Sequence, residues 1–109
     1  MAYRIEWSPR AVEDLEAIAQ YIAADSTAYA AAVVQTILST TRQLSPFPFS
    51  GRVVPELGDQ SIREWFAYSY RIIYRIDNDV LTIAKSFMAS DYWTLLVEIV
   101  PEQKTVSVV

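Results

Sequence analysis

Two arginines on one predicted strand are the residues best placed to do chemistry in this sequence. Arg71 and Arg75 lie four residues apart, so on a strand they point to the same side, roughly 13 Å from each other. Arg63 and Lys85 lie on the neighbouring predicted strands and could add positive charge. Such a patch would bind an acidic protein surface or a phosphate. The alternative is a solvated sheet face whose arginines pair with carboxylates such as Glu64.

Several other kinds of chemistry are excluded by composition. The 109 residues include no histidine and no cysteine. A zinc site lacks its usual nitrogen and sulfur ligands, and nucleophiles activated by histidine are ruled out. We therefore expect no metal and no cofactor, and any acid–base chemistry falls to Glu, Asp, Lys, Tyr or Arg.

The charge balance favours a protein partner over a nucleic acid. The formal net charge is −4 and the sequence pI is about 4.6, whereas nucleic-acid binders usually carry a basic field. The N-terminal segment lacks the apolar core of a signal peptide, and no run approaches the length of a membrane-spanning helix. We expect a cytoplasmic protein with one main folded domain and no membrane contact.

The N-terminal half predicts one strand and two helices. Residues 2–7 alternate between apolar and polar, as in a half-buried strand. Ser8 and Pro9 are typical of a helix start, and helical spacing continues over residues 9–24. A second helix is predicted over residues 27–44, antiparallel to the first because the link is short. The acidic Glu13, Asp14 and Glu16 suggest helix-dipole compensation and solubility, with no site.

The C-terminal half predicts a loop followed by three strands. Two prolines and a glycine make residues 45–60 a loop, and residues 61–66 a strand. Residues 68–77 form the clearest strand, with five apolar residues on one face, namely Tyr68, Tyr70, Ile72, Tyr74 and Ile76. These tyrosines are better explained as core than as base-stacking platforms. A turn at residues 77–79 leads into a strand over residues 80–88.

The expected pairing of the last two strands creates a conflict over Lys85. If Asp77 pairs with Val80 without irregularity, Tyr70 faces Phe87, and Lys85 lies opposite Ile72 on the apolar face. That register is incompatible with a basic face shared by Lys85 and the arginines.

The predicted fold class is α+β, with the order β-α-α-β-β-β. An αα-hairpin packs on a mainly antiparallel sheet, and a β-prone tail follows. We place the domain at residues 1–90 and an extension of open role at residues 91–109; it could extend the sheet, pair with a second copy, or fill a partner's groove. Trp65 and Phe66 are adjacent, so one points away from the core, and we assign Trp65 as a candidate partner contact.

Taken together, these segments resemble the ParE/RelE toxin superfamily, and its ParE-like branch in particular. The resemblance rests on the order of WSPRAVEDLEAIAQYIA, GRVVPE, IRE and YRIIYRI, and covers roughly residues 3–90. It implies the toxin of a type II toxin–antitoxin pair, neutralised by a cognate antitoxin. The expected assembly is either a homodimer or a hetero-oligomer with that antitoxin.

The resemblance implies two alternative activities. ParE-like members act by binding DNA gyrase, and this is the favoured expectation, with Arg63, Trp65, Arg71, Arg75 and Lys85 as binding residues. RelE-like members cut messenger RNA on the ribosome, and here the candidates for that metal-free reaction are Arg71, Arg75, Lys85 and Tyr92. A third alternative is an inactivated member that keeps only antitoxin binding, because Met88 and Asp91 occupy positions that are basic in many relatives.

Overall fold

Serine caps begin both helices of the computed structural model, which describes residues 2–88. The Ser8 hydroxyl accepts a hydrogen bond from the Ala11 N–H at 3.0 Å, and Pro9 occupies the first turn of α1 (Pro9–Ala23). The Ser26 hydroxyl accepts from the Tyr29 N–H at 3.1 Å and begins α2 (Thr27–Leu44). Both helices lie where the sequence predicts them.

The strands form one five-stranded mixed sheet in the order β1-β5-β4-β3-β2. β1 pairs in parallel with β5, and the other pairs are antiparallel. The predicted α+β class with an αα-hairpin on the sheet is confirmed. Its strands are β1 (Arg4–Trp7), β2 (Arg52–Val53), β3 (Ile62–Ala67), β4 (Tyr70–Asp77) and β5 (Val80–Met88).

Two local predictions were wrong. β2 lies inside the stretch predicted as loop, because two residues are too few for periodicity to reveal a strand. Tyr68 was predicted as core, but it lies in the turn between β3 and β4 with φ of 54° and is exposed. The predicted positions of Tyr70 and Tyr74 in the core are confirmed, since both are buried on the helix side.

A bulge in β5 corrects the expected register of the β4–β5 hairpin. Asp77 pairs with Val80 and Tyr74 with Ile83, as predicted, but the next pair is Ile73 with Lys85, so one residue is extra. Beyond the bulge, every β5 residue therefore lies on the face opposite to the one that the regular register predicted. Lys85 therefore lies opposite Ile73, not Ile72, on the same face as Arg71. Tyr70 pairs with Met88, not with Phe87.

The sheet buries apolar side chains on both faces. The helix-side core packs both helices against β4 and β5, with Val33, Ile37, Ile72, Tyr74 and Ile83 all fully buried. A smaller core lies on the opposite face, which we call the second face, and consists of Val54, Ile62, Ile73 and Phe87 with Leu57 against them. Val54, Glu56 and Leu57 thus cover part of a face that the sequence pattern assigned to solvent.

Asp14 fastens α1 to the end of β5. Its Oδ2 accepts a hydrogen bond from the Ser86 N–H at 3.0 Å, and its Oδ1 accepts from Arg10 Nε at 3.0 Å. No acidic residue lies in the first turn of α1, so dipole compensation does not explain Asp14. This carboxylate satisfies a backbone donor on β5 beyond the point where β1 ends.

Replacing this carboxylate should loosen the helix from the sheet. We expect Asp14→Ala to lower the free energy of unfolding by about 1–3 kcal/mol, because the Ser86 N–H loses its acceptor. Urea denaturation measures the change. The exposed neighbour Glu13 is the matched control, and Glu13→Ala should stay within about 0.5 kcal/mol of the wild type. Equal effects of the two substitutions would contradict the role of Asp14.

Candidate functional site

Arg71 lies buried on the second face between two carboxylates. Its Nε donates to Glu64 Oε1 at 2.9 Å, and its Nη2 also pairs with that oxygen. Nη1 and Nη2 donate to the two oxygens of Glu56 at 3.3 and 3.2 Å. The Arg71 side chain is only 6% exposed. The predicted pairing with Glu64 is therefore present, but Arg71 is not solvated.

Glu64 joins two arginines across three strands. Its side chain is 0% exposed and pairs with Arg71 on β4 and Arg52 on β2. Because Arg52 pairs in register with Glu64, formation of β2 brings this cation over the carboxylate. The Arg52 side chain remains 63% exposed, so it carries the solvent-facing end of the cluster.

Aromatic rings surround these cations. The Arg71 guanidinium lies 5.9 Å from the ring centre of Phe66 and 5.7 Å from that of Phe87. Arg52 lies 5.7 Å from Phe66, and Lys85 Nζ lies 5.7 Å from Phe87. These distances are within cation–π range. Lys85 itself is buried, so its charge is not displayed at the surface.

The ion pairs shift the pKa values of the groups that form them. The hydrogen bond from Arg71 outweighs the effect of burial and lowers the pKa of Glu56 below its ordinary value of 4.5. Burial alone would lower the pKa of Arg71, but its bonds to Glu56 and Glu64 outweigh burial and raise it. The two carboxylates therefore stabilise the charged form of Arg71 in spite of its burial.

Glu56 should make stability depend on pH in the acid range. Because folding lowers its pKa, its contribution is complete above about pH 4.5 and is lost as pH falls through the folded value. We expect the stability difference between wild type and Glu56→Gln to shrink steadily between about pH 5 and pH 3. Urea unfolding at a series of pH values measures it. A difference that stays constant over that range would contradict the assignment.

The predicted binding residues fall into two groups. Arg71, Arg75 and Lys85 share the second face, as the bulge requires. Arg63 and Trp65 point to the helix side, so they do not extend that patch. Trp65 packs against the helix-side core, and its neighbour Phe66 is the exposed member of the pair. Tyr92 and Asp91 lie outside the described residues.

Arg63 holds the loop that precedes β2. Its guanidinium donates to the carbonyl oxygens of Gln60 and Gly51 at 2.9 and 3.1 Å, and to the Gln60 side-chain oxygen at 3.1 Å. It also lies 5.0 Å from the ring centre of Phe49. These oxygen partners are uncharged, so the charge of Arg63 persists beside an exposed aromatic ring.

A groove lies between α1, the start of β4 and the end of β5, away from the loop that Arg63 holds. Its volume is about 240 Å³, and its wall includes Ile18, Tyr21, Tyr70 and Met88. Ser86 also lines it, and within residues 2–88 the buried hydroxyl of Ser86 has no hydrogen-bond partner. Tyr21 is 72% exposed beside this groove. An apolar segment fits these walls.

Sequence reasoning missed Glu56, Arg52 and the groove. Glu56 follows a proline in a segment with no periodicity, so nothing in the sequence places it beside Arg71. Arg52 and Glu64 come together only through β2, which was not predicted. The opposite charges of Arg52 and Glu64, on two segments close in sequence, were the available sign of a pairing between these residues. Among residues 2–88, no group of acidic side chains is arranged to hold a metal ion, and no helix there is long and apolar enough to span a membrane.

The fold and site define a small α+β protein with two candidate binding surfaces. One is the groove beside Tyr21, and the other is the loop at which Arg63 lies beside Phe49. The sequence matches, over residues 5–85, the family described as the ParE toxin of type II toxin-antitoxin system, parDE. Since the match spans well over half of the chain, the protein belongs to this family of toxins. No individually curated protein matches the sequence at a significant level.

Solved structures with the same fold include toxins from three bacteria. The chromosomal ParDE system from P. aeruginosa matches with a TM-score of 0.66 at 19% identity, over 80% of this chain and 96% of that one. The RelBE2 toxin–antitoxin complex from Mycobacterium tuberculosis matches with a TM-score of 0.56 at 18% identity, over 81% and 92%. A mutant of the E. coli toxin RelE in the free state matches with a TM-score of 0.61 at 17% identity, over 86% and 93%.

Proposed function

We propose that this toxin acts in the ParE-like manner, by binding a target such as DNA gyrase, and that a cognate antitoxin neutralises it. One observation carries the choice of binding over catalysis. The cation at the centre of the second face, Arg71, is buried and already paired with Glu56 and Glu64.

RNA cleavage without a metal has different requirements. The developing charge on the phosphate must be stabilised by cationic side chains that reach the substrate, and a further group must accept the 2′-hydroxyl proton. Two of the three cations named for this reaction, Arg71 and Lys85, are buried. Arg75 is half-buried on the same face. This arrangement supports a structural role for the cluster and favours the binding mechanism.

The groove beside Tyr21 is the surface we assign to the antitoxin. Exposed aromatic side chains are enriched at protein interfaces, and Tyr21, Tyr29 and Tyr68 are all exposed at this end of the molecule. The rings of Tyr29 and Tyr68 lie 6.0 Å apart in an edge-to-face contact. An antitoxin segment with apolar side chains would cover these rings and pack against the apolar wall of the groove. The division of the chain into a domain at residues 1–90 and an extension at residues 91–109 stays a prediction.

Expression in cells without an antitoxin tests the proposed function. We expect growth arrest with filamentation and induction of the DNA-damage response, while messenger RNA stays intact. Arrest accompanied by cleaved messages would contradict the proposal and support the RelE-like alternative. Absence of arrest from a folded, well-expressed protein would support an inactivated member that only binds antitoxin.

A further inference from the structure

The loop between α2 and β2 displays two phenylalanines to solvent. Phe47 is 68% exposed and Phe49 is 55% exposed, although each ring would stabilise the fold if it were buried. Between them, Pro48 is buried. Exposed, buried and exposed residues therefore alternate in this loop, which packs on the protein through Pro48 and points both phenylalanine rings into solvent.

The anchor is the buried hydroxyl of Tyr74. It donates to the Pro48 carbonyl oxygen at 2.8 Å and accepts from the Gly51 N–H at 3.0 Å. Gly51 also accepts through its carbonyl oxygen from Arg63, on β3. The loop is therefore fixed by hydrogen bonds to two strands of the sheet. A rigid aromatic contact loses little conformational entropy on binding, which is how pre-organised interfaces gain affinity.

Positive charge lies beside the exposed rings. Arg63 stacks on Phe49, and its oxygen partners are uncharged. Arg52, next to Gly51 in the chain, is largely exposed, but it pairs with Glu64 on the opposite face of the sheet and does not add to this charge. In a chain whose formal net charge is −4, this patch is a local reversal of sign. Exposed aromatic rings beside the Arg63 guanidinium fit a protein surface with an apolar pocket and a neighbouring carboxylate.

We propose that the patch formed by Phe47, Phe49 and Arg63 is the surface with which the toxin engages its target protein. The inference rests on the proposed function, because it assigns a place on the molecule to the target. The 18 residues of α2 separate this patch from the tyrosines near its start by about 27 Å. Target and antitoxin therefore first contact different ends of the helical hairpin.

An acidic protein target fits the patch better than a second copy of the chain. A two-fold symmetric dimer would place the arginines of one patch against those of the other, which is unfavourable. Single-stranded RNA could also stack on the rings, but the acidic chain opposes phosphate binding. Both alternatives predict results that the following experiment separates.

The experiment compares a Phe47→Ser/Phe49→Ser double variant with wild type and with Val12→Ser, which replaces an exposed apolar residue of α1 outside both proposed binding surfaces. Growth arrest is measured in cells, inhibition of supercoiling is measured with purified DNA gyrase, and thermal unfolding checks the fold. Loss of two aromatic hot-spot residues should weaken inhibition at least about 30-fold. The double variant should stop arresting growth and unfold within a few degrees of wild type, and Val12→Ser should behave as wild type in both assays.

The outcomes separate this inference from the proposed function. If wild type inhibits gyrase and the double variant inhibits it equally, the inference is overturned and the proposed function stands. If wild type arrests growth by cutting messages, the proposed function fails, and the inference of a protein-binding patch fails with it. If wild type has neither effect, both fail, and a concentration-dependent dimer lost in the double variant would assign the patch to self-association. A Phe47→Leu/Phe49→Leu variant keeps apolar surface and should retain part of the inhibition.

Discussion

Arg71→Leu should lower the free energy of unfolding by about 3–5 kcal/mol, since it removes one partner of a buried ion pair. Among residues 2–88, Glu64, whose side chain is fully buried, would then keep only the exposed Arg52 as an ion-pair partner. Small domains have a total stability of about 5–15 kcal/mol, so the loss would be a large fraction of the total. Urea or guanidinium denaturation followed by circular dichroism measures the change.

Two further variants show whether the ion pair causes this loss. Arg75→Leu removes an arginine from the same strand and the same face, and it should cost no more than about 1 kcal/mol. Arg71→Leu/Glu64→Leu removes both charges, and it should be more stable than Arg71→Leu alone because no unpaired buried carboxylate remains. If Arg71→Leu is as stable as Arg75→Leu, or the double variant is no better, the buried-pair interpretation is wrong.

Gly51→Ala should destabilise the protein by about 3 kcal/mol, at the upper end of overpacking effects. A Cβ atom at this position would overlap the Tyr74 hydroxyl oxygen and lie 2.6 Å from the backbone oxygen of Glu64. The second contact involves backbone of β3, which cannot move without disturbing the sheet. The same substitution should weaken the anchor of the phenylalanine loop and so reduce growth arrest. Denaturant unfolding and the arrest assay measure the two effects.

Gly58 provides a control, because glycine is required there by the backbone conformation and not by the close approach of other atoms. Its φ is +64° and a Cβ there would meet nothing within 4 Å, so only backbone conformation is affected. Gly58→Ala should cost about 1–2 kcal/mol, and Gly58→Asn less, because asparagine tolerates the left-handed region. At Gly51 the order should reverse, with asparagine worse than alanine because it is larger. The same order at both positions would show that close approach is not what requires glycine at position 51.

Local signals in the sequence were sufficient for the helices and for the longest strand. Ser8 and Ser26 cap the helices as their residue type predicts, and α2 and β5 have the predicted bounds. Strict alternation in β4 predicted which side chains enter the helix-side core. These features depend on interactions within a few residues, so one sequence is enough to infer them.

Features that depend on pairing between distant segments were not predictable in the same way. The bulge in β5 has no residue signature, yet it moves Lys85 from the helix side to the second face. Tyr68 continues the apolar alternation but adopts a positive φ because the hairpin must close there. The alternation of side chains along β4 also placed Arg71 on the second face, but it gave no information on which segment covers that face. Residues 54–57 cover part of it, and Arg71, which was expected to be solvated, is buried and paired with Glu56 and Glu64.

The role of the arginines therefore changes with the structure. From sequence, Arg63, Arg71, Arg75 and Lys85 form one candidate patch. In the fold, Arg71 and Lys85 are buried on one face, whereas Arg63 stacks on Phe49 on the other side of the sheet. Arg63 lies beside the aromatic loop, whereas the more exposed Arg52 pairs with Glu64 on the second face. Partner binding is better supported at this loop than at the centre of the sheet.

A supercoiling assay with purified components tests the mechanism most directly. Wild-type chain is titrated into DNA gyrase and relaxed plasmid, and in parallel into a translation reaction with intact ribosomes and a defined message. We expect dose-dependent inhibition of gyrase and no cleavage of the message. Unchanged supercoiling together with specific cuts in the ribosome-bound message would contradict a binding mechanism and identify the chain as a ribonuclease.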